Sequence, residues 1–120
     1  MREIQITDGK TVLRAVLNDT VAAQDLARRL PCTFCGCDSG IDYCCTAANG
    51  LFDPLETQRG WKNGDISLCG GWFALLYGGE EESEAYDNMM IVGHIYEEDL
   101  PLIKQMPQHV TLKVEAVDNT

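Results

Sequence analysis

The chain is poor in positive charge. Its 120 residues include nine Lys and Arg against nineteen Asp and Glu, which gives a formal net charge of -10. No basic segment is present that would neutralise several neighbouring phosphates, and binding to nucleic acid or to an anionic membrane depends on such segments. We therefore expect neither nucleic acid nor a membrane among the partners of this protein.

Long apolar segments are also missing. No run approaches the roughly 20 apolar residues that span a bilayer, and the first residues, Met1–Thr7, lack the apolar region of a secretory signal peptide. The prediction is a soluble, cytoplasmic protein. In that compartment the six cysteines are expected to be thiols, metal ligands or redox groups rather than structural disulfides.

The composition is that of a folded domain. Apolar residues make up 45% of the sequence and charged residues 23%, whereas disordered chains have few apolar residues for their charge. A length of 120 residues is close to the commonest size of one domain, and neither an internal repeat nor a linker is visible. We predict that residues 1–120 form a single domain.

Much of the chain shows the two-residue alternation of half-buried strands. Apolar residues alternate on both sides of the turn at Asp8-Gly9, so a β-hairpin is predicted with Leu13, Ala15 and Leu17 turned inward. Further strands are predicted at Cys32–Cys37, Tyr43–Ala47, Asp65–Cys69, Phe73–Tyr77, Met89–Ile95 and Val110–Val117. Short strands in this number favour a closed barrel, because closure removes exposed strand edges.

Two segments have helical periodicity instead. Thr20–Arg29 carries apolar residues at helical spacing after a capping residue, Asp19 or Thr20, and stops before Pro31. Glu98–Met106 is acidic at its start and has a proline in its first turn, as expected of a helix. The predicted fold is therefore mainly β: a closed eight-stranded barrel with two short helices that cover its ends.

Five of the six cysteines lie in the segment 31–46. The simplest turn pairs Cys37 with Tyr43. Cys35 then pairs with Cys45, and the thiols of Cys35, Cys37 and Cys45 share the outer face of the barrel. That face would meet solvent, a helix or a partner subunit, which leaves a homodimer open.

Three neighbouring thiols would suit a soft metal or a cross-strand disulfide. The spacing lacks the second Cys-x2-Cys or His pair of a zinc ribbon, and no fourth ligand is evident. We therefore expect packed or surface thiols, with no bound metal and no other cofactor. A metal site made of Cys35, Cys37 and Cys45 is the alternative.

The two histidines, His94 and His109, do not predict a catalytic site. His94 lies in a predicted strand two residues after Val92, so we expect both side chains on one face of the barrel. No Ser or Cys can be placed beside His94 from the sequence, so a catalytic triad is not supported.

Aromatic residues accompany the long irregular segment 49–63 and the strands that follow it. The candidates for the wall of a binding cleft are Trp61, Trp72, Tyr77 and Tyr86. Aromatic residues of a small barrel more often fill its core, so both roles stay open for them.

A run of acidic residues, Glu80-Glu81-Glu82-Ser83-Glu84 with Asp87, lies between two predicted strands. Its charges repel one another and would extend a solvated loop. The alternative is a lip over the binding cleft, and such a lip would favour cationic groups.

Four short motifs follow one another along nearly the whole chain. They are Leu17-Asn18-Asp19-Thr20-Val21-Ala22-Ala23-Gln24-Asp25 with Leu30-Pro31, Gly60-Trp61 before Gly64-Asp65-Ile66, Gly71-Trp72-Phe73-Ala74-Leu75-Leu76-Tyr77, and Val92-Gly93-His94-Ile95. Their order and spacing resemble the cyclophilin-like fold, in particular the small bacterial single-domain cyclophilin-like proteins, a family without an established activity.

The resemblance does not extend to isomerase chemistry. Cyclophilins of the prolyl isomerase type carry a Phe-His-Arg motif whose arginine polarises the substrate amide, and no such motif occurs here. The arginine near the corresponding loop is Arg59, and a solvated loop cation is the commoner role for such a residue.

We therefore expect a non-catalytic binding module that takes a small molecule or a short peptide in a cleft beside residues 49–63. The candidate ligand-binding residues are Phe52, Arg59, Trp61, Trp72 and Tyr86. One alternative is a weak peptidyl-prolyl cis-trans isomerase that uses Arg59 beside Trp61 or Phe52. The other is the thiol or metal protein described above.

Overall fold

Alternating apolar side chains build the strands of this protein, and their inward members form its core. A computed structural model describes residues 2–117. Its strands are β1 (Arg2–Thr7), β2 (Val12–Leu17), β3 (Cys32–Asp38), β4 (Tyr43–Thr46), β5 (Asp65–Cys69), β6 (Trp72–Leu76), β7 (Ile91–Ile95) and β8 (His109–Ala116). The α-helices are α1 (Val21–Arg29) and α2 (Leu100–Ile103), and short 3₁₀ helices lie at Pro54–Glu56, Glu80–Ala85 and Glu97–Asp99.

The strands form a closed barrel in the order β1-β2-β7-β5-β6-β4-β3-β8. All neighbouring strands are antiparallel. Because β1 pairs with β8 as well as with β2, the ring has no open edge. The predicted mainly β, closed eight-stranded barrel is therefore confirmed.

The inward residues of β2 were predicted correctly. Leu13, Ala15 and Leu17 are at most 1% exposed. Across the interior, the rings of Phe34 and Phe73 stack with their centroids 4.4 Å apart and 15° between their planes. The interior of the barrel is thus filled by side chains.

Ala15 tests the packing of this interior. It is fully buried and lies between Ile4 of β1 and Ile95 of β7. We expect Ala15→Leu to lower the free energy of unfolding by about 1 to 3 kcal/mol, because the added carbons overfill a closed core. Urea unfolding measures the loss. Val12→Leu, at a 46% exposed position of the same strand, is the control, and equal midpoints for the two variants would contradict the packing.

Helix α1 begins at a well-satisfied cap. Of the two predicted capping residues, Thr20 takes the role, since its hydroxyl accepts a hydrogen bond from the Ala23 backbone N at 3.1 Å. Asn18 supports this cap by accepting from the Thr20 hydroxyl and donating to the Ile91 carbonyl, both at 2.7 Å. The helix is thereby tied to β7.

Helix α2 is shorter than predicted. The expected Glu98–Met106 helix starts as a 3₁₀ turn, is α-helical over Leu100–Ile103 only, and then returns to i+3 hydrogen bonds, which tighten a helix end. Ile103 and Met106 are both buried in the core. Within residues 2–117, no helix is long and apolar enough to cross a membrane.

The register predicted for the β3–β4 hairpin is wrong by one position. Asp38 pairs with Tyr43, so that Cys37 faces Cys44 instead of Tyr43. The reason is the turn, in which the Ser39 backbone N donates to the Asp42 carbonyl at 2.8 Å and the Ser39 hydroxyl donates to the Asp42 carboxylate. These bonds close a loop of four residues, 39–42.

The shifted register separates the three thiols of the predicted metal site. Cys35 is exposed on the outer face, whereas Cys45 is fully buried inside the barrel. Burial raises the pKa of the Cys45 thiol to about 12. Cys35, Cys37 and Cys45 therefore do not form one cluster, and that alternative ligand set is wrong.

A β-bulge corrects the face predicted for His94. In the pairing of β5 with β7, Ile66 faces Gly93 while Ser67 faces Ile91, so Val92 is the extra residue. Val92 is fully buried. His94 instead lies on the outer side, where its Nδ1 is 2.7 Å from the Asp65 carboxylate. The two side chains do not share a face.

Candidate functional site

Small side chains on the outer face of three neighbouring strands form the floor of a groove. Ala74 of β6 pairs with Cys44 of β4 on one side and with Ser67 of β5 on the other. Because these side chains are short, they leave a groove of about 310 Å³ outside the barrel. Its lining residues are Ile41, Asp42, Cys44, Trp61, Ser67, Cys69, Trp72, Ala74, Leu76, Tyr86, Asn88, Met89 and Met90.

Three aromatic side chains, Trp61, Trp72 and Tyr86, line this groove. Trp61 is 7% exposed, and its indole N–H donates to the Gly78 carbonyl at 2.9 Å. The Tyr86 ring packs 5.4 Å from the Trp61 ring at 42°. Trp72 and Tyr86 remain 50% and 54% exposed. Three of the five predicted ligand-binding residues are thus brought together.

The wall that carries Tyr86 is held in place by contacts with the end of the irregular segment 49–63. Gln58 and Met89 exchange two backbone hydrogen bonds of 2.9 and 2.8 Å. The Ser83 hydroxyl accepts from the Trp61 backbone N at 3.0 Å. Gly60 has a φ of +70°, and a Cβ on it would lie 2.6 Å from that hydroxyl oxygen. These contacts fix the position of the wall relative to Trp61.

The other two predicted residues lie outside the groove. Phe52 is 49% exposed in the loop and does not line it. Arg59 forms an ion pair of 2.8 Å with Asp87 and donates to the Glu84 carbonyl at 3.1 Å. Arg59 therefore connects the loop 49–63 to the acidic segment 80–87 and is not among the residues that line the groove.

Tyr77 is also placed elsewhere. Its hydroxyl donates to the Asp38 carboxylate, and its ring lies 6.0 Å from the Tyr43 ring. Burial and this hydrogen bond raise the pKa of Tyr77. The residue therefore packs beside the β3–β4 hairpin and is not part of the cleft wall.

The groove holds one ionisable carboxylate. Burial raises the pKa of Asp42, a hydrogen bond from Ser39 lowers it, and the charge of Asp38 raises it again. The pKa of the Cys44 thiol is raised by burial and then by the charges of Asp42 and Cys37. The thiol is consequently protonated at neutral pH and a poor nucleophile.

Several lining residues were not predicted from the sequence, notably Asp42, Met89 and Met90. For Ala74 a signal was available: alternation along β6 places Ala74 on the same face as Trp72, the face away from the buried Phe73. Met89 and Met90 were predicted to begin a strand, but the observed strand begins at Ile91, and nothing in the sequence shows that Met89 pairs with Gln58 instead. In the part of the chain that the structure describes, no three His, Cys, Asp or Glu residues are grouped to hold a metal ion.

Comparisons with solved structures agree with this architecture. A hypothetical protein from Archaeoglobus fulgidus has a TM-score of 0.74 at 14% identity, with 97% of this chain and 95% of that chain covered. McbB, solved in complex with tryptophan, has a TM-score of 0.67 at 14% identity. The alignment covers all of this chain and 46% of McbB. At these identities the likeness concerns the fold.

Sequence comparison carries the family assignment. No curated protein sequence matches this chain significantly. Residues 6–115, which include all the groove-lining residues, match the Cyclophilin-like family. The chain therefore belongs to the Cyclophilin-like family.

Proposed function

We propose that residues 1–120 act as one non-catalytic binding domain that takes a small molecule or a short peptide in the aromatic groove. The half-exposed rings of Trp72 and Tyr86 beside a 310 Å³ groove carry this proposal. Concave sites with apolar walls and few polar groups are the usual sites for small ligands. An occupant would cover apolar surface that is otherwise in water.

The comparison with McbB supports the small-molecule part of the proposal. McbB was solved with tryptophan bound, so a protein that contains this fold accommodates a small aromatic molecule. We also propose a cytoplasmic location, in which the six cysteines would stay reduced as thiols.

The position of Arg59 favours binding over isomerase chemistry. An isomerase of the cyclophilin type needs an arginine that reaches the substrate amide. The Arg59 guanidinium forms an ion pair with Asp87 and donates a hydrogen bond to the Glu84 carbonyl. The residues that line the groove include no arginine.

Binding of a neutral aromatic probe, 2-phenylethanol, tests the proposal. We expect saturable binding in the groove, seen as NMR shift changes at Tyr86 and Met89. Trp72→Ala should weaken the affinity about tenfold, since exposed aromatic anchors of this kind contribute more than about 1 kcal/mol.

Phe52→Ala is the matched control, because Phe52 and Trp72 are 49% and 50% exposed and only Trp72 lines the groove. Equal losses in both variants would contradict the assigned site. Turnover of a proline-containing peptide that disappears in Arg59→Ala would favour the isomerase alternative instead.

A further inference from the structure

The groove carries a negative charge that nothing in it balances. Asp42 lines it, and none of the other lining residues is Lys, Arg or His. Oδ1 of Asp42 accepts the Ser39 hydroxyl. Its other oxygen, Oδ2, has no hydrogen-bond partner within residues 2–117. One carboxylate oxygen is thus available at the edge of an apolar groove.

The segment that supplies one wall of the groove is acidic, although its acidic side chains do not line the groove. The segment 79–90, which supplies Tyr86 and Met89, contains five acidic residues and no basic one. Arg59 neutralises one of them, Asp87. The side chains of Glu81, Glu82 and Glu84 are exposed and form no ion pair in the described part of the chain. Charges of one sign around a cleft raise the local concentration of the opposite sign.

The aromatic rings of the groove also favour a positively charged ligand. The face of an aromatic ring is the negative part of its quadrupole, so it attracts ammonium groups within about 6 Å of its centre. Trp72 and Tyr86 both retain about half of their surface for such a contact. The thioethers of Met89 and Met90 are polarisable and accept irregular apolar shapes.

We propose that this groove selects a small organic cation, in which an ammonium group is attached to an apolar or aromatic body. The inference rests on the proposed binding function and specifies the charge of the ligand. The ammonium group lies near Oδ2 of Asp42, and the body lies over Ala74 and Ser67 between the aromatic side chains. The volume of about 310 Å³ is at the lower end for ligand sites and fits a single small molecule.

Three probes of similar size and different charge test the inference. They are 2-phenylethylammonium, neutral 2-phenylethanol and anionic phenylacetate, titrated at pH 7.5 by NMR or calorimetry. We expect the cation to bind about five- to twentyfold more tightly than the neutral probe, and the anion most weakly. The advantage of the cation should shrink as salt is added.

Asp42→Asn identifies the group responsible. Asparagine keeps the oxygen that accepts from Ser39, so the turn is retained while the charge is removed. We expect the affinity for 2-phenylethylammonium to fall to that for 2-phenylethanol, which itself stays unchanged. Asp19→Asn is the control, because it removes the same charge at an exposed position outside the groove. Thermal unfolding of both variants verifies that they fold.

The outcomes separate this inference from the proposal on which it rests. If 2-phenylethanol binds as tightly as the cation, the charge preference is wrong and the binding function stands. If none of the probes binds saturably, both fail. If a tetrapeptide containing one lysine binds more tightly than 2-phenylethylammonium, the small-molecule assignment is overturned in favour of a peptide side chain.

Discussion

Replacing Gly36 with alanine is expected to lower the free energy of unfolding by about 3 kcal/mol or more. A Cβ on Gly36 would lie 2.1 Å from the Cys44 carbonyl oxygen and 2.5 Å from the Cys45 Cα. Both are backbone atoms of the paired strand β4, so they cannot yield without disturbing the β3–β4 ladder. Urea unfolding followed by circular dichroism measures the effect.

Gly78→Ala is the matched control for this substitution. The nearest atoms to a Cβ on Gly78 belong to Ile41 at 3.9 Å, which is an ordinary contact. Its φ is not in the left-handed region, so alanine should change the free energy of unfolding by less than about 1 kcal/mol. Unfolding midpoints that coincide for the two variants would mean that β3 and β4 are not paired in this register.

Removing the ring of Phe73 is expected to cost about 3 to 5 kcal/mol of stability, since a large cavity opens in a closed core. Phe73 is fully buried and stacks on Phe34. Phe73→Ala should therefore shift the urea midpoint strongly, and the protein that remains folded should still bind 2-phenylethanol. Binding is measured at low temperature and corrected for the folded fraction.

The adjacent Trp72→Ala should show the reverse pattern. Trp72 is 50% exposed and lies on the opposite side of β6, so its removal should lower stability by less than about 1.5 kcal/mol while binding falls about tenfold. A loss of stability as large as that of Phe73→Ala would show that Trp72 belongs to the core, which was the competing prediction for this residue.

The fold could be predicted because its main signals are local. Alternation in β2 placed Leu13, Ala15 and Leu17 inward, and turn residues marked the boundaries between the other strands. The register of the β3–β4 hairpin was beyond such reasoning. It depends on a hydrogen bond from Ser39 to Asp42 that shortens the turn, and a slip of one residue reverses the face of every side chain in β4.

The candidate site was harder to predict from the sequence than the fold. Trp61, Trp72 and Tyr86 could be suspected from their number and their place near the loop. Their convergence depends on contacts between distant segments, including the pairing of Gln58 with Met89 and the order β4-β6-β5. Neither has a local pattern. The side chains that complete the groove, Asp42 among them, were therefore not found.

The separation of inner from outer side chains on β4, β5 and β6 has a use in protein engineering. Inner residues such as Phe73 maintain the barrel, whereas the outer positions Cys44, Ser67 and Ala74 set the depth of the groove. A library restricted to these three floor positions would vary pocket shape over a constant scaffold. New ligand specificities could then be selected without redesigning the interior.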